Sequence, residues 1–262
     1  MEFSEKQVKS FKIKKVHSSH HIMPEKKILI IYSSGYLGME KTEAGEFDYR
    51  KGFLLNYMRN HPNFCDRDAL HAYQEKNPAL QDFLVTPHSI HNRRILYKIL
   101  ELEEICHSFN MNLELWKIIG GLIKDNYEEY NAFVVIHGTD TMNYTASVLS
   151  FMLENLNKPV IFTGSQIPLV EMRNDAQRNL IDSLTIAGSY HIPEVCIMYD
   201  SVLYRGNRTI KNDNMRFSAF ECPNMNPLGE IGVKVKINWE VVLPPPKEEF
   251  SYCDVIQYIY WC

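Results

Sequence analysis

One apolar run that stops on a glycine constrains this chain more than any other stretch: Ala132-Phe133-Val134-Val135-Ile136, then His137-Gly138, then Thr139-Asp140-Thr141. A continuous run rich in Val and Ile reads as a strand buried on both faces. The Thr and Asp beyond it suit a helix start, because their oxygens accept the free N–H groups of a first turn. Val148, Leu149, Met152, Leu153 and Leu156 then recur at the spacing of one helix face. Lys158-Pro159 ends that pattern, and Val160-Ile161-Phe162-Thr163 opens a second strand. The result is a β-α-β unit with a hydroxyl, a carboxylate and a helix N-terminus at the carboxyl end of its first strand. Open parallel sheets bind ligands there.

The pattern repeats along the chain. Lys27-Ile28-Leu29-Ile30-Ile31-Tyr32 is another buried strand, running into Ser33-Ser34-Gly35-Tyr36-Leu37-Gly38. That turn reads either as an active-site loop or as a plain strand-to-helix connection, and no G-x-G-x-x-G pattern points to a nucleotide. Phe53 to Met58 begins a helix, Ile95 to Leu102 is apolar, and Leu113 to Tyr130 is an amphipathic helix that the Gly120-Gly121 pair weakens by about 1 kcal/mol per glycine, making it the point where a break would fall. A helix through Leu180, Leu184, Ile186 and Ala187 precedes a strand at Val195 to Tyr199. This alternation predicts an α/β fold, a mostly parallel sheet flanked by helices. Residues 1–26 read as a flexible polar leader and 27–240 as the α/β domain. Residues 241–262 open on the extended linker Leu243-Pro244-Pro245-Pro246 and end too soon for a second domain.

A formal net charge of -4 argues against a broad nucleic-acid surface, and the five lysines between Lys6 and Lys15 read as a solvated tail. No run reaches the ~18 apolar residues of a membrane span, and residues 1–27 lack the apolar core of a secretory signal. Cys65, Cys106, Cys196, Cys222, Cys253 and Cys262 form no C-x-x-C pair, which points to reduced thiols in the cytoplasm. His20-His21 and the His88, His91 pair have no carboxylate or Cys in register, so they read as surface histidines and no metal is expected.

Three separated motifs, His137-Gly138-Thr139-Asp140-Thr141-Met142, Gly164-Ser165-Gln166-Ile167-Pro168 and Arg205-Gly206-Asn207-Arg208-Thr209-Ile210-Lys211, occur in order. Together they resemble the bacterial-type L-asparaginases, in particular the cytoplasmic branch that includes the N-terminal part of animal asparaginase/lysophospholipase proteins. The resemblance covers roughly residues 27–245. It implies a larger N-terminal α/β domain joined to a smaller C-terminal one, and hydrolysis of L-asparagine to L-aspartate and ammonia by a Thr nucleophile. It also implies no metal or organic cofactor, and dimers or tetramers whose sites are completed by a neighbouring subunit. By the same resemblance Thr139, Asp140 and Lys211 match the family's Thr-Asp-Lys cluster. Asp140 would bind the substrate α-amino group and Ser108 its carboxylate. A threonine hydroxyl needs a base to take its proton, and a lysine serves only where burial leaves its amine neutral. Without the other motifs, Thr139 and Asp140 read equally well as helix caps.

Several positions depart from the family pattern. Its first motif, Thr-Gly-Gly-Thr-Ile-Gly-Met, aligns with Ser33-Ser34-Gly35-Tyr36-Leu37-Gly38-Met39, which puts Tyr36 where the nucleophilic threonine stands. The activating tyrosine of the flexible loop falls on Glu46. Phe109 and Asn110 replace the usual polar residues beside Ser108. Three functions follow: an active asparaginase using Thr139 with Lys211 or a serine of the first loop; an impaired one that still binds an acidic amino acid; or a regulatory subunit pairing with a full-length asparaginase. Low or absent turnover is the expectation, and the short C-terminus reads as a truncation.

Overall fold

The computed structural model describes residues 26–89 and 93–254, with the backbone alone of Glu104. The predicted leader up to Glu25, with His20-His21, and also His91 and the tail beyond Asp254 lie outside the described residues, while Lys26, read as the leader's last residue, begins the first strand. Nine strands form one sheet. They are β1 (Lys26–Ser34), β2 (Leu84–Val85), β3 (Ile95–Cys106), β4 (Ala132–Ile136), β5 (Val160–Thr163), β6 (Val195–Tyr199), β7 (Val202–Arg205), β8 (Gly229–Ile231) and β9 (Val235–Ile237). Their order across the sheet is β9-β8-β7-β6-β5-β4-β1-β3-β2. The five central strands, β3, β1, β4, β5 and β6, are parallel, and the strands at both margins run antiparallel. This is the predicted mostly parallel sheet.

The apolar runs form the parallel centre because only two-sided burial suits them. Every residue of β4, β5 and β6 is buried, as is β1 from Ile28 to Ser34. Three fully buried tyrosines each give their hydroxyl a partner, which burial of a phenol requires. Tyr32 donates to the Gly35 carbonyl at 2.9 Å, Tyr97 to that of Phe64 at 2.9 Å, and Tyr199 to Asp175 at 2.8 Å.

Five helices surround the sheet: α1 (Phe53–Asn60), α2 (Arg67–Lys76), α3 (Leu113–Asp125), α4 (Met142–Met152) and α5 (Ala176–Ser189). Helix α5 packs on β1, β4, β5 and β6, while α3 and α4 pack on each other. At three places the structure goes beyond the sequence reading. Helix α3 passes through Gly120-Gly121 unbroken, and a Cβ on Gly120 would lie 2.7 Å from the Tyr252 ring and 3.2 Å from Leu149. The glycine makes room for packing. Helix α4 ends at Met152, short of Lys158-Pro159, since Leu153 and Glu154 leave it to pair with Ser251 and Tyr252. Residues 67–76, unremarkable in sequence, form α2, capped by Asp66, whose carboxylate accepts from the Ala69 N–H at 3.0 Å.

The proline segment is tied to the domain. The Leu243 N–H donates to Glu194 Oε1 at 2.7 Å, and Arg205 Nη2 donates to the Val241 carbonyl at 2.6 Å. Arg205 and Glu194 also form a largely buried ion pair. Further on, the Phe250 ring stacks on Tyr127, with 3.7 Å between centroids.

Candidate active site

The carboxyl ends of β1 and β4 lie side by side, where the chain turns away from the sheet in both directions from β1. Two glycines let these ends meet. Gly35 has φ of 91°, and a Cβ there would fall 2.5 Å from Gly138 Cα. A Cβ on Gly138 would in turn meet Ser108 Oγ at 2.5 Å. Three loops therefore touch around Gly138, carrying Tyr36, Ser108 and Thr139.

Thr139, Asp140 and Lys211 come together. Lys211 Nζ donates to Thr139 Oγ1 at 2.8 Å and to Asp140 Oδ1 at 2.8 Å. Lys211 is delivered by the segment after β7, which runs back along α4. There Gly206 sits against Ala146, and Thr209 Oγ1 donates to the Arg205 carbonyl at 2.6 Å. The lysine and threonine side chains are largely buried, whereas the Asp140 side chain is 59% exposed. Neither Thr139 nor Asp140 caps α4. Thr141 holds the N-cap position, and its hydroxyl instead donates to the Ser108 carbonyl at 2.7 Å. The capping alternative is thus replaced by a bond to Lys211.

The first loop is occupied differently. Ser33 Oγ donates to the Ile136 carbonyl at 2.9 Å, and Ser34 Oγ accepts from the Gly138 N–H at 3.0 Å; both serines are fully buried. Tyr36 stands at the rim, 41% exposed, with its ring 5.4 Å from the His107 imidazole, which stacks in turn on Phe109. Glu46 lies in the exposed turn between Glu40–Lys41 and Phe47–Asp48, where its N–H meets Thr42 Oγ1 at 3.2 Å. Ser108 is buried beside Gly138.

The loop after β5 contributes residues whose roles the sequence left unassigned. Thr139 Oγ1 donates weakly to Gln166 Oε1 at 3.4 Å, and Gln166 Nε2 and Ser165 Oγ are buried with no hydrogen-bond partner among the described residues. Asp175 shapes this loop. Its carboxylate accepts from the Gln166 N–H at 3.0 Å, the Ile167 N–H at 3.0 Å and the Tyr199 hydroxyl at 2.8 Å. That charge and burial raise the Tyr199 pKa. An Asp at the entrance of a predicted helix was the available signal, but a cap and a clamp look alike in sequence. Beyond Asp140 the cleft continues as a hollow of about 450 Å³ walled by Asn143, Tyr144, Ile210 and Asp213. Among the described residues no group of three His, Cys, Asp or Glu side chains is placed to hold a metal.

Known proteins resemble this chain in sequence and fold. The profile of the family described as Asparaginase, N-terminal, matches residues 27–243. The 60 kDa lysophospholipase of Homo sapiens is 43% identical over 219 residues, which is 84% of this chain and 37% of that protein. L-asparaginase 1 of Escherichia coli (strain K12) is 41% identical over 214 residues, 82% of this chain and 56% of that one. The crystal structure of L-asparaginase I from Vibrio cholerae superposes with a TM-score of 0.71 at 37% identity, covering 88% of this chain and 61% of that chain. The chain thus spans less than two thirds of the length of each of these relatives. By its profile match, its identity to these proteins and its fold, the chain belongs to the asparaginase family, whose N-terminal domain it carries.

Proposed function

We propose that this chain holds an asparaginase-type site that binds a small acidic amino acid, L-aspartate or L-asparagine, with low or no turnover of the amide. One observation carries the reading: the Lys211–Thr139–Asp140 cluster is assembled, while the first-loop position aligned with the nucleophile is Tyr36, turned onto His107. Family hydrolysis needs a hydroxyl that adds to the amide carbon, a group that takes its proton, and release of ammonia. Ser33 and Ser34, the nearest hydroxyls on that loop, are spent on the main chain of β4 and Gly138. Thr139 Oγ1 receives a hydrogen bond from Lys211, and an ammonium has donors only. The pair polarises and binds. Asp140 offers a carboxylate to an α-amino group, Ser108 a hydroxyl to a carboxylate, and no cofactor is required.

Cysteines scattered without a C-x-x-C pair support a reducing compartment such as the cytoplasm. No described helix is long and apolar enough to cross a membrane. A second reading, a regulatory subunit pairing with asparaginase chains, is favoured by the outer stripe of α4. Tyr144 and Phe151 there are 61% and 66% exposed, and the helix has no charged residue. Such a stripe suits a protein partner.

The test is ammonia release from L-asparagine by the purified protein, with calorimetric titration of L-aspartate alongside. We expect binding heat that Thr139→Ala and Lys211→Ala abolish, and no ammonia above the uncatalysed background. Turnover at ordinary enzyme rates, lost on Thr139→Ala, would overturn the proposal. Recovery of turnover by Tyr36→Thr would locate the defect in the first loop. Co-purification with an asparaginase chain, weakened by Phe151→Lys, would favour the second reading.

A further inference from the structure

His137 lies between β4 and Gly138, fully buried, and none of the proposed chemistry uses it. Its two ring nitrogens are both engaged. Nδ1 is 2.8 Å from the Gly138 carbonyl, and Nε2 is 2.9 Å from Thr145 Oγ1 on α4. Trp116 Nε1, on α3, lies 2.9 Å from the same Thr145 oxygen. The direction of this chain is set at its inner end. A carbonyl oxygen can only accept, so the proton of the neutral ring sits on Nδ1 and goes to Gly138. Nε2 is then an acceptor, and Thr145 Oγ1 gives it its single proton. The indole N–H of Trp116 donates to a lone pair of the same oxygen and holds the hydroxyl in that orientation.

Gly138 is held from the other side too, by its N–H on Ser34 Oγ at 3.0 Å. A planar trans peptide transmits this restraint: with the Gly138 carbonyl fixed, the plane that begins Thr139 is fixed as well. Thr139 Oγ1 then meets Lys211. Loss of hydration lowers the imidazole pKa to about 4, so the ring stays neutral and keeps its acceptor nitrogen in ordinary buffers.

We propose that Trp116, Thr145 and His137 are positioning residues, a relay in which an indole on α3 orients the Thr145 hydroxyl, the hydroxyl braces the imidazole, and the ring sets the Gly138–Thr139 peptide against Lys211. The relay rests on reading Thr139 and Lys211 as the ligand site. It also makes Trp116 a reporter of that site, because the indole is coupled to the turn that carries Thr139.

The experiment is ¹⁵N–¹H correlation spectroscopy of the full chain, following the His137 ring nitrogens and the Thr139 amide, with calorimetric titration of L-aspartate beside it. The wild type should show the Nδ1–H tautomer. Thr145→Val should shift the Nε2 resonance, shift the Thr139 amide and weaken L-aspartate about tenfold, the scale of one lost hydrogen bond, and Thr145→Ser should restore all three. Should Thr145→Val fail to fold, Trp116→Phe removes the donor alone and should also shift the Nε2 resonance. An Nε2–H tautomer in the wild type overturns the relay. So does a folded Thr145→Val or Trp116→Phe with unchanged ring and Thr139 signals. A wild type that binds no L-aspartate but keeps the Nδ1–H tautomer, with Thr145→Val still shifting the Thr139 amide, overturns the functional reading and supports the relay.

Discussion

His137 and Asp182 place opposing pH terms in the same protein. Burial lowers the His137 pKa to about 4 from an unfolded value of about 6.5, so between those values the unfolded chain binds more protons. That term is fully present above pH ~6.5 and is lost as pH falls to ~4, a change of about 3 kcal/mol. Asp182 is also buried, and desolvation raises its pKa to about 6 despite the Ser201 hydroxyl bond at 3.0 Å. Here the folded state holds the extra proton, so acidification from pH ~6 to ~4 stabilises by a similar amount. In the wild type the two terms largely cancel. Asp182→Asn should unmask His137: urea denaturation should then show stability falling by about 2–3 kcal/mol between pH 7 and 4.5. Identical profiles for wild type and variant would refute the cancellation. Thr139, Asp140 and Lys211 were legible in sequence because each lies in a quoted motif. Trp116 and Thr145 were not, since only the packing of α3 on α4 brings them to His137.

The legible elements were those whose signal is local. The runs at Ile28–Tyr32, Ala132–Ile136, Val160–Thr163 and Val195–Tyr199 give strands β1, β4, β5 and β6 directly, because two-sided burial leaves no polar alternation to misread. The early end of α4 was hidden, because its apolar face continues through Leu153 while Ser251–Tyr252, nearly a hundred residues away, recruits Leu153–Glu154 into a ribbon. Short strands β2, β8 and β9 owe their existence to the sheet margins they complete. Gly35 gives the sharpest element-level test. Its φ of 91° and the 2.5 Å approach to Gly138 Cα leave no room for a methyl group, and the obstacle is main chain. Gly35→Ala should cost ~2 kcal/mol or more and lower Tm by about 5 °C in a thermal scan. An unchanged Tm would mean that β1 and β4 can part without penalty.

At the scale of the whole molecule, the segment from Val241 to Tyr252 wraps the domain from the β6–β7 side to α3. Its charged anchor is largely buried, so removing one partner should be more damaging than surface pairs allow. Glu194→Ala should destabilise by about 3 kcal/mol and open the chain near Val241 to limited proteolysis. A resistant, fully stable variant would show that the proline segment holds without it. The guanidinium that grips the Val241 carbonyl belongs to Arg205, and Arg205 begins the short segment, braced on α4, that ends at Lys211. Tail and lysine thus share one mooring. A load applied between Leu243 and Phe250 is borne at that mooring, so tension there would reach the ammonium along the short stretch of main chain from Arg205 to Lys211 rather than across the breadth of the sheet.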